Sequence, residues 1–121
     1  MPHSLSFSEY VDKGLEMKFT ADEFLAKLPL EATEKWKEGV WDLEPFRKGN
    51  VSLVFFAPKG KDYQTLHDED EFYFIARGSG ELVIDGVINA FAAGDVFFVP
   101  TKVPHHFENF SDDFATWAIF F

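Results

Sequence analysis

A chain of 121 residues is long enough for one domain around a single buried core. Eleven basic against 21 acidic residues leave a net charge of −10 with no basic cluster, which argues against nucleic acid and anionic membrane as partners, since either requires a positive stripe. Aromatic residues make up 18% of the chain and 16 residues are Phe, too much apolar, strand-favouring bulk for a disordered chain, and the absence of Cys removes disulfides and thiolate ligands.

The N-terminal stretch MPHSLSFSEYVDKG lacks a basic segment followed by an apolar core, so it does not read as a secretory leader. The longest apolar runs, such as FATWAIFF, fall short of the roughly 20 residues that span a bilayer. The expected location is cytoplasmic. In TADEFLAKLP, Thr20 followed three residues later by Glu23 forms a capping box; Phe24, Leu25 and Leu28 make one apolar stripe, and Pro29 closes a short helix. EATEKWKEGVWDLEPF is compatible with helix or strand.

From Val51 the pattern changes to short strands divided by turns. VSLVFFAP reads as a strand, KGKDYQTLHDED as a loop, EFYFIAR as a strand, GSG as a turn and ELVI as a strand. DG is a two-residue hairpin signal after which VINAF pairs back. VFFVP, PHHFENF and FATWAIFF complete the set. Strands of this length at roughly ten-residue spacing, with no long helix between them, predict an antiparallel barrel or sandwich. Gly78, Gly80 and Gly94 are expected at turns that need positive φ. By alternation Glu71, Tyr73 and Ile75 share one face of their strand, and Phe72, Phe74 and Ala76 the other. Both faces are apolar, so the outer one must be covered by the second sheet, the N-terminal segment or another subunit; a homodimer is the expected assembly.

His3 lies near a terminus, whereas His67, His105 and His106 stand at strand beginnings beside loops. Imidazole with carboxylate is a usual ligand set for Fe(II), Mn, Ni or Zn. On a straight strand His67 and Glu71 would share a face with Cα atoms about 13 Å apart, beyond the reach of one ion. A shared site therefore requires Asp68 to Asp70 to bend. Taken alone, HDEDE reads as a solvated acidic loop before a strand rather than as a site.

Two stretches resemble the paired motifs of a small single-domain cupin. GDVFFVPTKVPHHFEN is similar to G-x5-P-x-G-x2-H-x3-N through Gly94, Pro100, His105 and Asn109, with Lys102 where Gly is usual. His67, Glu71 and Gly78 match G-x5-H-x-H-x3/4-E-x6-G, with Thr65 where its first His belongs and Gly60 one residue from its leading Gly. The resemblance implies an all-β fold, a cupin-type antiparallel β-barrel (double-stranded β-helix, or jelly roll) over residues 48–121, with residues 1–47 a helical or irregular segment packed on it. It also implies a divalent metal, Fe, Mn, Ni or Zn, held by His67, Glu71 and His105, with Glu71 as ligand or general base. The substrate implied is a small organic molecule, and the chemistry dioxygenase- or isomerase-like. A non-catalytic small-molecule-binding or sensing protein, with or without metal, is the alternative. His106, one residue out of phase with His105, should face the other way. Asn109 reads as a turn or hydrogen-bonding residue. Gln64, Thr65, Tyr73, Arg77 and Phe107 are candidate pocket residues, with Arg77 placed by parity on the face of Glu71 and suited to a substrate carboxylate.

Overall fold

The computed structural model of the chain describes residues 17–34, 37, 39–60, 62 and 68–121. Among these residues one helix and eight strands follow in order: α1 (Ala21–Leu25), β1 (Asp42–Lys48), β2 (Val51–Phe56), β3 (Glu71–Arg77), β4 (Ser79–Ile84), β5 (Val87–Ala92), β6 (Val96–Val99), β7 (His105–Glu108) and β8 (Ala115–Phe120). The strands form a five-stranded sheet in the order β1-β2-β8-β3-β6 and a three-stranded sheet in the order β5-β4-β7. Every pairing is antiparallel. EFYFIAR is a strand over its whole length, and the segment open between helix and strand supplies β1.

The period-2 alternation decides which side chains meet. In β3, Glu71, Tyr73 and Ile75 are buried on the inner face of the large sheet, and the ladder sets Phe120, Ala118 and Thr116 of β8 beside them. Leu82, Phe91 and Phe107 of the small sheet close over that face, with the Phe107 ring 4.8 Å from those of both Tyr73 and Phe114. This aromatic layer is the core, and the offset, tilted ring contacts are those that the ring quadrupole favours.

The outer face has a separate cover over part of its width. Thr20, in extended conformation, accepts a hydrogen bond from the Glu23 amide and so caps α1 as the capping box predicts. The helix buries Phe24 against Phe55, Ala57 and Ala115, and Trp117 meets Phe24 edge-on at 5.7 Å. Among the described residues no helix is long and apolar enough to cross a membrane.

Several connections differ from the sequence expectation in an instructive way. Asp85 and Gly86 both have positive φ, as the tight hairpin between β4 and β5 requires. GSG is not a hairpin turn: Gly78 (φ +81) is the one residue between β3 and β4, which belong to different sheets. Gly80 does not have positive φ. It lies within β4, where a methyl group would come 2.8 Å from Phe110 Cα, so close backbone approach explains it. Lys102, standing where the resemblance has Gly, adopts φ 63, which explains why Gly is usual there.

These positions give a paired prediction. At Gly86 (φ +80) nothing lies within 4 Å of an added methyl, so Gly86→Ala should cost only the left-handed backbone penalty of about 1–2 kcal/mol. At Gly78 the methyl would also meet the Ser111 hydroxyl and come 2.8 Å from Phe114 Cα, so Gly78→Ala should cost at least about twice as much. Urea unfolding of the two variants measures the difference.

Candidate functional site

β3 and β7 lie in different sheets, and each begins at the same end of the core with a polar side chain directed inward. Glu71, the first residue of β3, is fully buried, and the His105 side chain at the start of β7 is 3% exposed. His105 Nδ1 lies 2.8 Å from the Val103 carbonyl oxygen, which can only accept, so this nitrogen carries a hydrogen. Nε2 then faces Glu71 Oε1 at 3.0 Å and the Tyr73 hydroxyl at 3.1 Å.

Burial by itself pushes the imidazolium pKa down. The hydrogen bonds to Glu71 and to the Val103 carbonyl, together with the negative charges of Glu71 and Asp62, outweigh it, and the net direction is up. Asp62 stands close because its Oδ2 accepts from the Phe107 amide at 2.8 Å. The protonated ring donates from Nε2 to Glu71; after that proton leaves, the Nε2 lone pair points at the same place and is available to a metal. Fixing Nδ1–H on a backbone carbonyl is the usual means of presenting Nε2 as a ligand.

A cavity of about 260 Å³ opens beside this cluster, between β1, β2, β8 and β3. Glu71 and Tyr73 form its buried end, Val54, Phe56, Ala118 and Phe120 its apolar wall, and the exposed Asp42 and Glu44 its rim. His105 touches Glu71 and Tyr73 without itself lining the cavity. Glu44 is held in place by Arg47, at 3.0 and 3.1 Å, and by the Ser52 hydroxyl at 2.7 Å; the Arg47 contact comes first in holding its carboxyl below the usual range. The rim acids went unrecognised in the sequence because DLEPFRK was not assigned to a strand. Once it is, alternation puts Asp42 and Glu44 on one face.

The structure brings Glu71, Tyr73 and His105 together. His67, Gln64 and Thr65 lie outside the described residues. A bend is present at Asp68 and Glu69. Thr101 braces it, with its amide donating to Asp70 Oδ1 at 2.8 Å and its hydroxyl to the Asp68 carbonyl. Among the described residues no third His, Cys, Asp or Glu joins Glu71 and His105 as a metal-binding group.

Two candidate pocket residues sit elsewhere. Arg77 is not on the Glu71 face, because the ladder shifts register between Ile75 and Arg77; Ile75 pairs with Thr116 but Arg77 with Ala115, whose side chain is covered by α1. There it forms an ion pair with Asp22 of the helix. Phe107 is a core residue, 2% exposed and packed on Tyr73 and Phe91, and does not line the cavity. His106 is exposed and reaches Glu108 at 3.2 Å, facing away from His105 as its phase requires. Asn109, at φ 50, donates to Glu81 Oε1 at 2.6 Å, a turn residue tied to β4.

Residues 52–121 match the family model described as a cupin domain. A curated relative, an uncharacterized protein of Streptomyces coelicolor, is 30% identical over 93 residues, which span 75% of this chain and 88% of that protein. Among solved structures, a Cupin 2 conserved barrel domain protein from Salinispora arenicola aligns with a TM-score of 0.56 at 22% identity, over 66% of this chain and 73% of the other. KdgF from Halomonas sp. aligns at 0.58 with 17% identity, over 65% and 74%. At these identities the two structures show likeness of fold alone.

The raised His105 pKa fixes the sign of a pH effect in the metal-free protein. Because the folded value lies above the unfolded one, the contribution is fully present below about pH 6.5 and is lost as pH rises through the folded value. The urea midpoint of the wild type, followed upward from about pH 6, should fall relative to that of His105→Gln, whose curve lacks this component. Parallel curves would contradict the pairing.

Proposed function

The chain belongs to the cupin domain family, and on that premise we propose that it binds a small organic molecule in the cavity beside Glu71 and acts on it with a divalent metal ion, in dioxygenase- or isomerase-like chemistry. The observation that carries this reading is the convergence of Glu71 Oε1, His105 Nε2 and the Tyr73 hydroxyl within 3.0–3.1 Å at the buried end of the cavity. A buried carboxylate and a tautomer-fixed imidazole fit a divalent ion as two of its ligands. His67, which lies outside the described residues, is the third residue the reading assigns to it. When bound, the ion would supply Lewis-acid or oxygen-activating chemistry.

The chain's own residues have separable tasks. The Val103 carbonyl keeps the proton on Nδ1 of His105, so Nε2 is the nitrogen offered to an ion. Tyr73 has a hydroxyl hydrogen to donate at the cavity end, to Nε2 or to a polar atom of a ligand. Glu71 is a ligand, or, where it does not ligate, a proton acceptor at the buried end of the cavity. Val54, Phe56, Ala118 and Phe120 offer the ligand an apolar wall and exclude water from that side. The cavity lies just below the roughly 300–1,000 Å³ of drug-sized sites, which favours a small metabolite with an apolar portion.

The test is elemental mass spectrometry of untagged protein purified without added metal and then offered Fe(II), Mn and Zn under anaerobic conditions. The wild type should hold about one ion per chain, and His105→Gln and Glu71→Gln should each lose about 10- to 100-fold in affinity or more. Metal binding in the wild type that neither substitution weakens, or no binding of any of the three ions, overturns the metal assignment. With metal bound, turnover of a diketone, catechol or thiol panel, read as oxygen consumption or product formation, separates an enzyme from a binding or sensing protein.

A further inference from the structure

The ionisable groups at the two ends of the cavity have the same sign. Glu71 closes the buried end, Asp42 and Glu44 stand at the mouth, and an apolar wall lies between them. Among the described residues no Lys, Arg or His lines the cavity. The net charge of −10 on the chain adds to this bias instead of opposing it.

The mouth is held in place by the strand ladders. Asp42 pairs with Phe56, Phe56 with Thr116, and Thr116 with Ile75, so Asp42 belongs to the inner face in the row of Ile75. Glu44 lies in the irregular stretch between Leu43 and Phe46. The hydroxyl of the buried Ser52 donates to it at 2.7 Å, and Arg47 donates from two nitrogens at 3.0 and 3.1 Å. That forked contact leaves little net charge at Glu44. Asp42 is in a different position. Burial raises its pKa, and no cation or hydrogen bond among the described residues pulls it back down. Its carboxylate is poorly solvated and uncompensated, and a positive group is what would relieve it. The mouth is not itself a metal site, because among the described residues no three acids or histidines stand close enough to share an ion.

Granting the cavity as the ligand site, on which this reading rests, we infer that the molecule it takes is an amine: an alkyl or arylalkyl body against Val54, Phe56 and Ala118, with its ammonium group between Asp42 and Glu44. An ammonium group has three donors and no acceptor, so it can bond both carboxylates at once. A carboxylate or phosphate in the same place would meet like charge beside an apolar, low-dielectric wall, where repulsion is strong. β1 and β3 stand three places apart in the large sheet, about 14 Å at roughly 4.8 Å per strand. An ammonium held at the mouth therefore orients the ligand with its opposite end toward Glu71 and Tyr73.

NMR titration of the isotope-labelled full chain tests this, with a chelator present so that no bound ion adds charge. Three probes of matched shape serve: 2-phenylethylamine, 2-phenylethanol and 3-phenylpropanoate. The amine should bind about 10-fold more tightly than the alcohol, with shifts at Phe56 and Ala118, and the carboxylate should bind most weakly. Asp42→Asn should weaken the amine about 5-fold and leave the alcohol unchanged. The double variant Asp42→Asn/Glu44→Gln releases Arg47 from Glu44, and the order of amine and carboxylate should reverse. Glu23→Gln, on α1 across the large sheet from the cavity, makes the same change of net charge and should alter none of the three affinities. Equal binding of amine and alcohol, or an amine preference that survives Asp42→Asn, overturns the amine assignment and leaves the cavity as the ligand site. No shift at Phe56 and Ala118 with any probe overturns both.

Discussion

The contact between Glu71 and His105 is the constraint on which the rest of the site depends. A carboxylate with no exposed surface is expensive unless it is paired, and the residue that pairs with it comes from the other sheet, across the core. The pair therefore ties β3 to β7 at one end of the sandwich and specifies how the sheets are aligned there. A slip of one residue in either strand would send one partner to the opposite face, with Phe72 in place of Glu71 or the exposed His106 in place of His105. That requirement gives the arrangement a specificity that a purely aromatic core, tolerant of repacking, would lack.

The same end of the core holds the buried polar side chains of Glu71 and His105. The aromatic layer of Tyr73, Phe91, Phe107 and Phe114 fills the space between the sheets and leaves the cavity on the β1 side, against Glu71 and Tyr73. Tyr73 belongs to both regions: its ring packs edge-on against Phe107 and its hydroxyl meets His105. A side chain with an apolar body and one polar tip suits the boundary between a dry core and a ligand cavity.

The N-terminal helix answers a need of the large sheet. A sheet apolar on both faces needs two covers. The inner cover is the small sheet, and α1 supplies part of the outer one through Phe24 and the Asp22–Arg77 ion pair. Arg77 reaches the helix only because a register irregularity after Ile75 turns it to that side, so the feature that takes it away from the cavity also anchors the outer cover.

The sequence by itself determined β2 to β8, the capped helix, the shared face of Glu71 and Tyr73, and the opposed phases of His105 and His106, because these follow from local rules: period-2 alternation, turn chemistry and capping. It also set the condition that Asp68 to Asp70 must bend for His67 and Glu71 to meet; a bend is present at Asp68 and Glu69, and His67 lies outside the described residues. Tertiary structure alone decided the remainder. A bulge reversed the side of Arg77, since one extra residue inverts the parity on which strand reasoning relies. Packing density assigned Phe107 to the core instead of the cavity, a choice no local pattern distinguishes. Gly80 is needed for the approach of Phe110, thirty residues away, and the acids of the cavity rim come from a strand whose pairing with β2 settled its identity. Each of these depends on contacts between residues distant in the chain, and such contacts exist only once the two sheets have closed on each other.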